Sequence, residues 1–186
     1  MQPAQRPQRT SSKSGWFTGL LDAWKRWLRK LTGSSTFQTD LTHLHLACGD
    51  RLAKDWLNVD AENSDYNLDL HQGRLPFESD HFRAIVSENL VTDLHRQESL
   101  IPLLSECFRC LELGGELWLS SATRSDFEKE NAVKREDLEY SELEQLARES
   151  GFTIFDPVSR RDWSRRFPGF PLMEAQEGGN YIRAVK

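Results

Sequence analysis

The chain has 186 residues, 38% of them apolar and 28% charged, with a formal charge of −5 at neutral pH. That length holds one domain with a substantial core rather than two ordinary ones, and the balance excludes both a disordered chain and a nucleic-acid binder driven by bulk charge. Charge is uneven, since the Lys and Arg of residues 1–30 are opposed by a single acid, Asp22, which leaves the remainder clearly acidic. Cys48, Cys107 and Cys110 make no secreted disulfide framework, and no apolar run reaches the roughly 20 residues of a spanning helix or forms a signal-peptide core. The expectation is a cytoplasmic protein.

Residues 1–15, rich in Gln, Pro, Ser and Arg, read as a disordered leader. Over residues 16–32 the apolar positions Trp16, Phe17, Leu20, Leu21, Trp24, Trp27, Leu28 and Leu31 fall on one face at helical period, with Lys25, Arg26, Arg29 and Lys30 opposite, so the pattern predicts a basic amphipathic helix. Gly33-Ser34-Ser35-Thr36 ends it and opens a linker over 33–41. From 42 to 186 short apolar runs alternate with helical patterns, as a mainly parallel sheet requires. The runs are THLHLAC (42–48), WLNVD (56–60), YNLDL (66–70) and AIVSEN (84–89). A helix near 97–111 comes next, carrying Leu100, Ile101, Leu103, Leu104, Cys107, Phe108 and Leu111 as its apolar stripe, with Gly114-Gly115 ending it before the strand ELWLSSA (116–122). Beyond a polar stretch containing a further helix come a helix near 140–150, the strand FTIFD (152–156), an irregular loop with Pro157, Pro168 and Pro171, and the strand NYIRAVK (180–186).

The turn after the first strand, LHLACGDRL, offers a backbone bend at Cys48-Gly49-Asp50 where a ligand can approach, because Gly49 has no side chain to block it. The second strand ends at Asp60, eleven residues on, which is too short for a dinucleotide-binding fingerprint and disfavours a nicotinamide enzyme. An acid in that place can accept hydrogen bonds from both hydroxyls of a ribose. It can equally cap a turn into Ala61-Glu62-Asn63. Local sequence alone leaves the two readings level.

The segments LHLACGDRLAKDWLNVD, DLHQGRLPFESDHFRAIVSENL and FRCLELGGELWLS resemble, in order and spacing, the class I S-adenosylmethionine-dependent methyltransferases with a compact first turn, the type 11-like group. The pattern of that family runs L-x-L-G-C-G-x-x-x-L-x-G-W-x-N-V-D, D-L-x-x-x-L-P-F-x-D-x-S-F-D and Y-R-V-L-K-P-G-G-x-L, and the match covers roughly residues 42–120, with SELEQLARESGF and NYIRAVK as weaker echoes beyond. The sequence departs from it at Ala47 for the first glycine, Lys54-Asp55 before the tryptophan, Leu113 before Gly-Gly, and Asp93-Leu94 where relatives often carry Glu-His, His95 being one position displaced. The resemblance implies an α/β fold: a three-layer, Rossmann-like domain with a seven-stranded, mostly parallel sheet in the order 3-2-1-4-5-7-6 and an antiparallel last strand. It implies S-adenosylmethionine as cofactor. The main chain at Ala47, Cys48 and Gly49 would lie beside the methionine portion, Asp60 would hold the ribose, and Asp69 with Leu70 would flank the adenine. Ser87, Glu88 and Asn89 would face the methyl-transfer cleft. The acceptor would be a small molecule, glycan or lipid-linked group, and no catalytic residue is assigned; a catalytically silent binding or scaffold protein is the alternative.

Other constellations carry less. Cys107 and Cys110 form C-x-x-C, yet both lie on a predicted helix with no second ligand pair, so no metal is expected. His43 and His45 share one strand face and read as packed or sheet-surface residues rather than a metal pair. Arg160-Arg161 and Arg165-Arg166, interleaved with Trp163 and Phe167, read as a solvated loop packing its aromatics, and no specific nucleic-acid partner is expected. For residues 16–31 three readings stay open: peripheral attachment to an anionic membrane, docking on a protein partner, or packing on the domain itself.

Overall fold

The structure is a computed structural model that describes residues 36–88, 90, 100–120, 140–172 and 181–186. Internal contacts divide the chain between Thr36 and Phe37, and the unit Phe37–Lys186 holds the whole sheet. The leader and amphipathic helix expected over 1–32, the residues Asn89, Asp93, Leu94 and His95, and the helix expected ahead of residue 140 lie outside the described residues.

Seven strands form one sheet: β1 His43–Leu46, β2 Leu57–Asp60, β3 Tyr66–Asn67, β4 Phe82–Ser87, β5 Leu111–Ser120, β6 Ile154–Pro157 and β7 Tyr181–Val185. Their order is β3-β2-β1-β4-β5-β7-β6, with β7 antiparallel to both β5 and β6 and the other pairings parallel. This is the expected sheet. Side chains alternate along each strand, so the central strands feed two cores, one per face, as a sheet buried on both sides must. Leu44, Leu46, Ile85, Leu117 and Leu119 pack on one face with helices α1 Leu100–Cys110 and α2 Tyr140–Glu149, through Leu103, Leu104, Cys107, Leu143 and Ala147. Ala84, Val86 and Trp118 point to the other face.

Helix α3, Arg160–Arg166, covers that second face. It lies inside the stretch expected to be an irregular loop. Its local signals are a capping box, in which Ser159 and Asp162 bond each other's backbone N–H, and Trp163, which is fully buried. Trp163 meets Trp118 at 5.6 Å and Tyr181 at 5.8 Å between ring centres, while Phe167 and Phe170 continue the aromatic layer to Trp56. Arg161, Arg165 and Arg166 of α3 stay exposed while Arg160 is partly buried, and Arg166 bonds Glu116 at 2.9 Å.

Three further expectations are corrected. The strand at 66–70 is only Tyr66–Asn67, because Asp69 accepts the His71 N–H and starts a 3-10 turn over Leu70–Gln72. Gly114-Gly115 does not end α1, which stops at Cys110 and passes directly into β5; the glycines form a bulge within that strand, between the pairs Leu111–Phe82 and Glu116–Ala84. A Cβ at Gly115 would lie 2.8 Å from the Glu112 carbonyl oxygen, so the bulge closes only around glycine. Ile101 leaves the apolar stripe and is exposed, while Cys110, outside the expected stripe, is buried.

Two motif segments far apart in sequence are cross-linked. Arg109 donates to the carbonyls of Leu75 and Phe77, each at 2.9 Å, and Glu106 accepts the Leu75 N–H at 3.1 Å while pairing with Arg109. The Leu75-Pro76-Phe77 turn is thereby fixed to α1, and Phe37 joins it by donating its N–H to the Pro76 carbonyl at 2.6 Å.

Parallel neighbours usually need a crossover of about a dozen residues or more, most often helical. Here residues 47–56 connect β1 to β2 without a helix. A buried amide holds the connection: Asn58 Oδ1 accepts the Ala53 N–H at 2.7 Å, and Nδ2 donates to the Ala53 and Trp56 carbonyls and to Asp65. Because Asn58 Oδ1 is an acceptor, His45, 3.3 Å away, donates to it through Nδ1, leaving Nε2 a buried acceptor without a partner among the described residues. Within the same connection Ala47 (φ 53°) and Asp55 (φ 63°) adopt left-handed backbone. These are two positions where the methyltransferase pattern carries glycine.

Two outcomes are expected. Replacing Ala47 and Asp55 together by Gly removes left-handed strain worth more than the added unfolded-state entropy, and should raise stability by about 1 kcal/mol, read as a melting point a few degrees higher. A lower melting point would mean the connection does not hold these torsions. Separately, burial drives the His45 imidazole from its ordinary 6.5 down to about 4. The unfolded chain therefore binds that proton first, and stability contributed by His45 is complete above pH 6.5 and falls by about 3 kcal/mol on going to pH 4. Denaturation midpoints for the wild type and His45→Leu across that window test this, the variant giving the flatter profile; parallel profiles would refute a buried neutral imidazole.

Candidate functional site at the carboxyl edge of the sheet

The parallel strands end along one edge, which gathers the turns after β1, β2, β3 and β4. The β1 turn runs through Ala47, Cys48 and Gly49, the last at φ 58°, a torsion natural to glycine. Asp60 closes it. Its Oδ2 accepts the Gly49 N–H at 2.8 Å and its Oδ1 the Ala61 N–H at 2.6 Å, so the acid both caps its own turn and crosses to the neighbouring strand. A carboxylate has about four acceptor positions, so further hydrogen bonds to both oxygens remain available. The Asp60 backbone is held by Ser64 Oγ, which accepts its N–H at 3.1 Å, and by the Leu68 N–H, which donates to its carbonyl at 2.7 Å. Cys48 is buried, and burial with the nearby Asp60 charge pushes its thiol up to about 11, so it is protonated at neutral pH.

Across the gap from β1, Ser87 ends β4 and Glu88 succeeds it. Ser87 is buried and its hydroxyl accepts the Leu90 N–H at 3.3 Å. Glu88 is 2% exposed; its carbonyl accepts from Ser120 Oγ at 2.6 Å and its carboxylate pairs with Arg51 of the β1 turn. Arg51 also donates to the Pro171 carbonyl at 3.1 Å. Connections from β1 lead one way along the sheet while β4 stands on its other side, so this ion pair bridges the point where strand order reverses, the crevice in which open α/β sheets hold ligands. Sequence reasoning missed Arg51. The signal available was a lone cation two residues beyond the turn glycine.

Asp69 and Leu70 reach the same edge by a different route. Asp69 accepts from His71 within its own turn and Leu70 enters the main core, so their connection to Asp60 runs through β3 and the Leu68 N–H. Asn89 lies outside the described residues. A half-open cavity of about 490 Å³, lined by Phe37, Asp40, Glu78 and His81 among others, sits near the amino ends of β1 and β4, away from this edge. Among the described residues no group of three His, Cys, Asp or Glu side chains could hold a metal ion. Cys107 and Cys110 are buried in the core, where burial raises both thiols, that of Cys110 to about 12. His43 packs against Trp56 with ring centres 4.9 Å apart and planes tilted by 51°.

No protein-family model and no curated protein matches the sequence. Solved structures do. A SAM-dependent methyltransferase from Archaeoglobus fulgidus superposes with a TM-score of 0.53 at 13% identity, covering 93% of this chain and 100% of that one. A possible histamine N-methyltransferase from Thermotoga maritima gives 0.50 at 15% identity, covering 91% and 98%. Phosphoethanolamine N-methyltransferase 2 from Haemonchus contortus, solved with S-adenosyl-L-methionine, gives 0.48 at 14% identity over 88% of this chain; the chain spans about half its length, 52%. The strand order, the antiparallel β7 and the full-length superpositions together give the chain the three-layer, Rossmann-like fold of class I S-adenosylmethionine-dependent methyltransferases.

Proposed function

We propose that the domain binds S-adenosylmethionine along the carboxyl edge of the sheet and directs methyl transfer to a small-molecule, glycan or lipid-linked acceptor. The observation that carries this reading is the bond from Gly49 N–H to Asp60, which sets the acid beside the β1 turn with acceptor capacity left on both carboxylate oxygens. The residues that would hold the cofactor are Asp60 for the ribose hydroxyls, the main chain of Ala47, Cys48 and Gly49 beside the methionine portion, and Asp69 with Leu70 beside the adenine, with Ser87 and Glu88 on the acceptor side. The bound cofactor supplies a methyl group already activated on a sulfonium. The protein's share is alignment and exclusion of water, with a base needed only where the acceptor carries a proton. Isothermal calorimetry with S-adenosylmethionine and S-adenosylhomocysteine tests the reading, and Asp60→Ala should weaken binding by about 1–3 kcal/mol. Unchanged affinity in a folded Asp60→Ala variant would reject the ribose role; absence of binding to the wild type would reject the enzyme.

For the finer question of place, no helix among the described residues is long and apolar enough to cross a membrane. The sequence pattern of residues 16–31 supports reversible attachment of a cytoplasmic protein to an anionic surface, its apolar face entering the interface and each Lys or Arg adding about 1 kcal/mol of attraction. The full chain should sediment with anionic and hardly with neutral vesicles, more weakly as salt rises, while a chain starting at Thr36 stays in solution. Equal sedimentation of the two would leave the helix to a protein partner or to the domain itself.

A further inference from the structure

The cavity of about 490 Å³ at the amino edge of the sheet lies between two stretches of chain, residues 37–40 leading toward β1 and residues 78–81 leading into β4. The two are tied together near both ends. The Phe37 N–H donates to the Pro76 carbonyl at 2.6 Å, and His81 Nε2 donates to the Leu41 carbonyl at 3.0 Å. Arg109 of α1 holds the second stretch again, through the Phe77 carbonyl at 2.9 Å and Ser79 Oγ at 3.2 Å, so the walls are set by the protein's own bonds. Each wall brings one carboxylate, Asp40 from the first and Glu78 from the second, and Phe37 adds an aromatic surface. We propose that this cavity binds an organic ammonium cation, the amine held by Asp40 and Glu78 and the hydrocarbon part lying against Phe37. The site stands apart from the carboxyl edge, and the assignment does not depend on the cofactor reading above.

Size and lining select that class of ligand. The volume falls in the range of small-molecule sites and far exceeds a bare ion. Asp40, Glu78 and His81 all line the cavity, yet among the described residues no three such side chains converge on a metal position, and His81 Nε2 is committed to Leu41. A divalent ion would also need six or more oxygen ligands. An anion meets two acids and, among the described lining residues, no Lys or Arg; the cations nearest in sequence or contact are engaged, Arg109 with Glu106 and Lys186 with Asp80. A neutral apolar compound would cover the carboxylates without bonding them, at a cost in desolvation. An ammonium brings three donors to acceptors on both walls, and its positive charge is attracted to the face of an aromatic ring.

Calorimetry on the full chain compares benzylamine with benzyl alcohol, which has the same ring and reach but no charge at neutral pH. The amine should bind about 10-fold more tightly, the worth of one charge-assisted hydrogen bond, and its advantage should shrink as salt rises. Asp40→Asn and Glu78→Gln should each remove most of that preference while benzyl alcohol binds as before, with the fold intact by circular dichroism. Phe37→Leu, which keeps bulk and removes the ring, should weaken both probes. Glu149→Gln, which neutralises an exposed acid on α2, should change neither affinity. Equal binding of the two probes to the wild type, or no binding of benzylamine at all, would overturn the assignment. So would an equal loss in Glu149→Gln and the cavity variants, the mark of diffuse attraction to an acidic surface, or displacement of the amine by magnesium at constant ionic strength.

Discussion

A single buried amide governs this domain. Asn58 grips both the N–H and the carbonyl of Ala53 and the carbonyl of Trp56, closing a ten-residue parallel crossover that would otherwise need a helix to satisfy its backbone. Everything at the carboxyl edge depends on that closure. With the connection folded back on itself, Gly49 reaches Asp60, Arg51 reaches Glu88, and Trp56 is set against Phe167 and Phe170. Asn58 is in turn braced by Asp65, which accepts both its backbone N–H and its amide, so the next connection, to β3, is tied to the same point.

Shortening the crossovers moves a structural burden elsewhere. The face that crossover helices would cover is instead sealed by α3 and its aromatic neighbours, contributed by the connection between β6 and β7. Packing and site are thereby linked, because the segment beyond the Trp163, Phe167 and Phe170 anchors delivers the Pro171 carbonyl to Arg51. Loosening an aromatic contact on this face should be felt at the crevice, since sealed interiors transmit displacement rather than absorb it.

The sheet was legible because its strands are short, apolar and separated by turn residues, and because ordered motif spacing implied their arrangement. Motif segments that look independent in sequence turn out to touch: Arg109 of the third clasps Leu75 and Phe77 of the second, which accounts physically for their occurring together. Helix α3 was hidden by brevity and by the prolines around it, its capping box and Trp163 being the local cues. Gly114-Gly115 misled because a glycine pair marks a helix end and a strand bulge alike, and only the partner strand distinguishes them. Asp60 was level between ribose ligand and turn cap in sequence; the structure shows the cap on the Ala61 N–H and adds a bond to the Gly49 N–H of the neighbouring turn. Arg51 escaped because its meaning depends on an acid 37 residues away.

The insertion of β7 between β5 and β6 has a consequence for how the domain is made. During synthesis β6 emerges before the strand that must separate it from β5, so until β7 is available β6 has no neighbour and one side of β5 presents unpaired backbone. The pairing of both β5 and β6 on this side of the sheet is therefore deferred to β7. A nascent chain paused before residue 181 would carry an open β5 edge flanked by Trp118 and Leu119, the kind of surface that recruits chaperones or pairs with another copy.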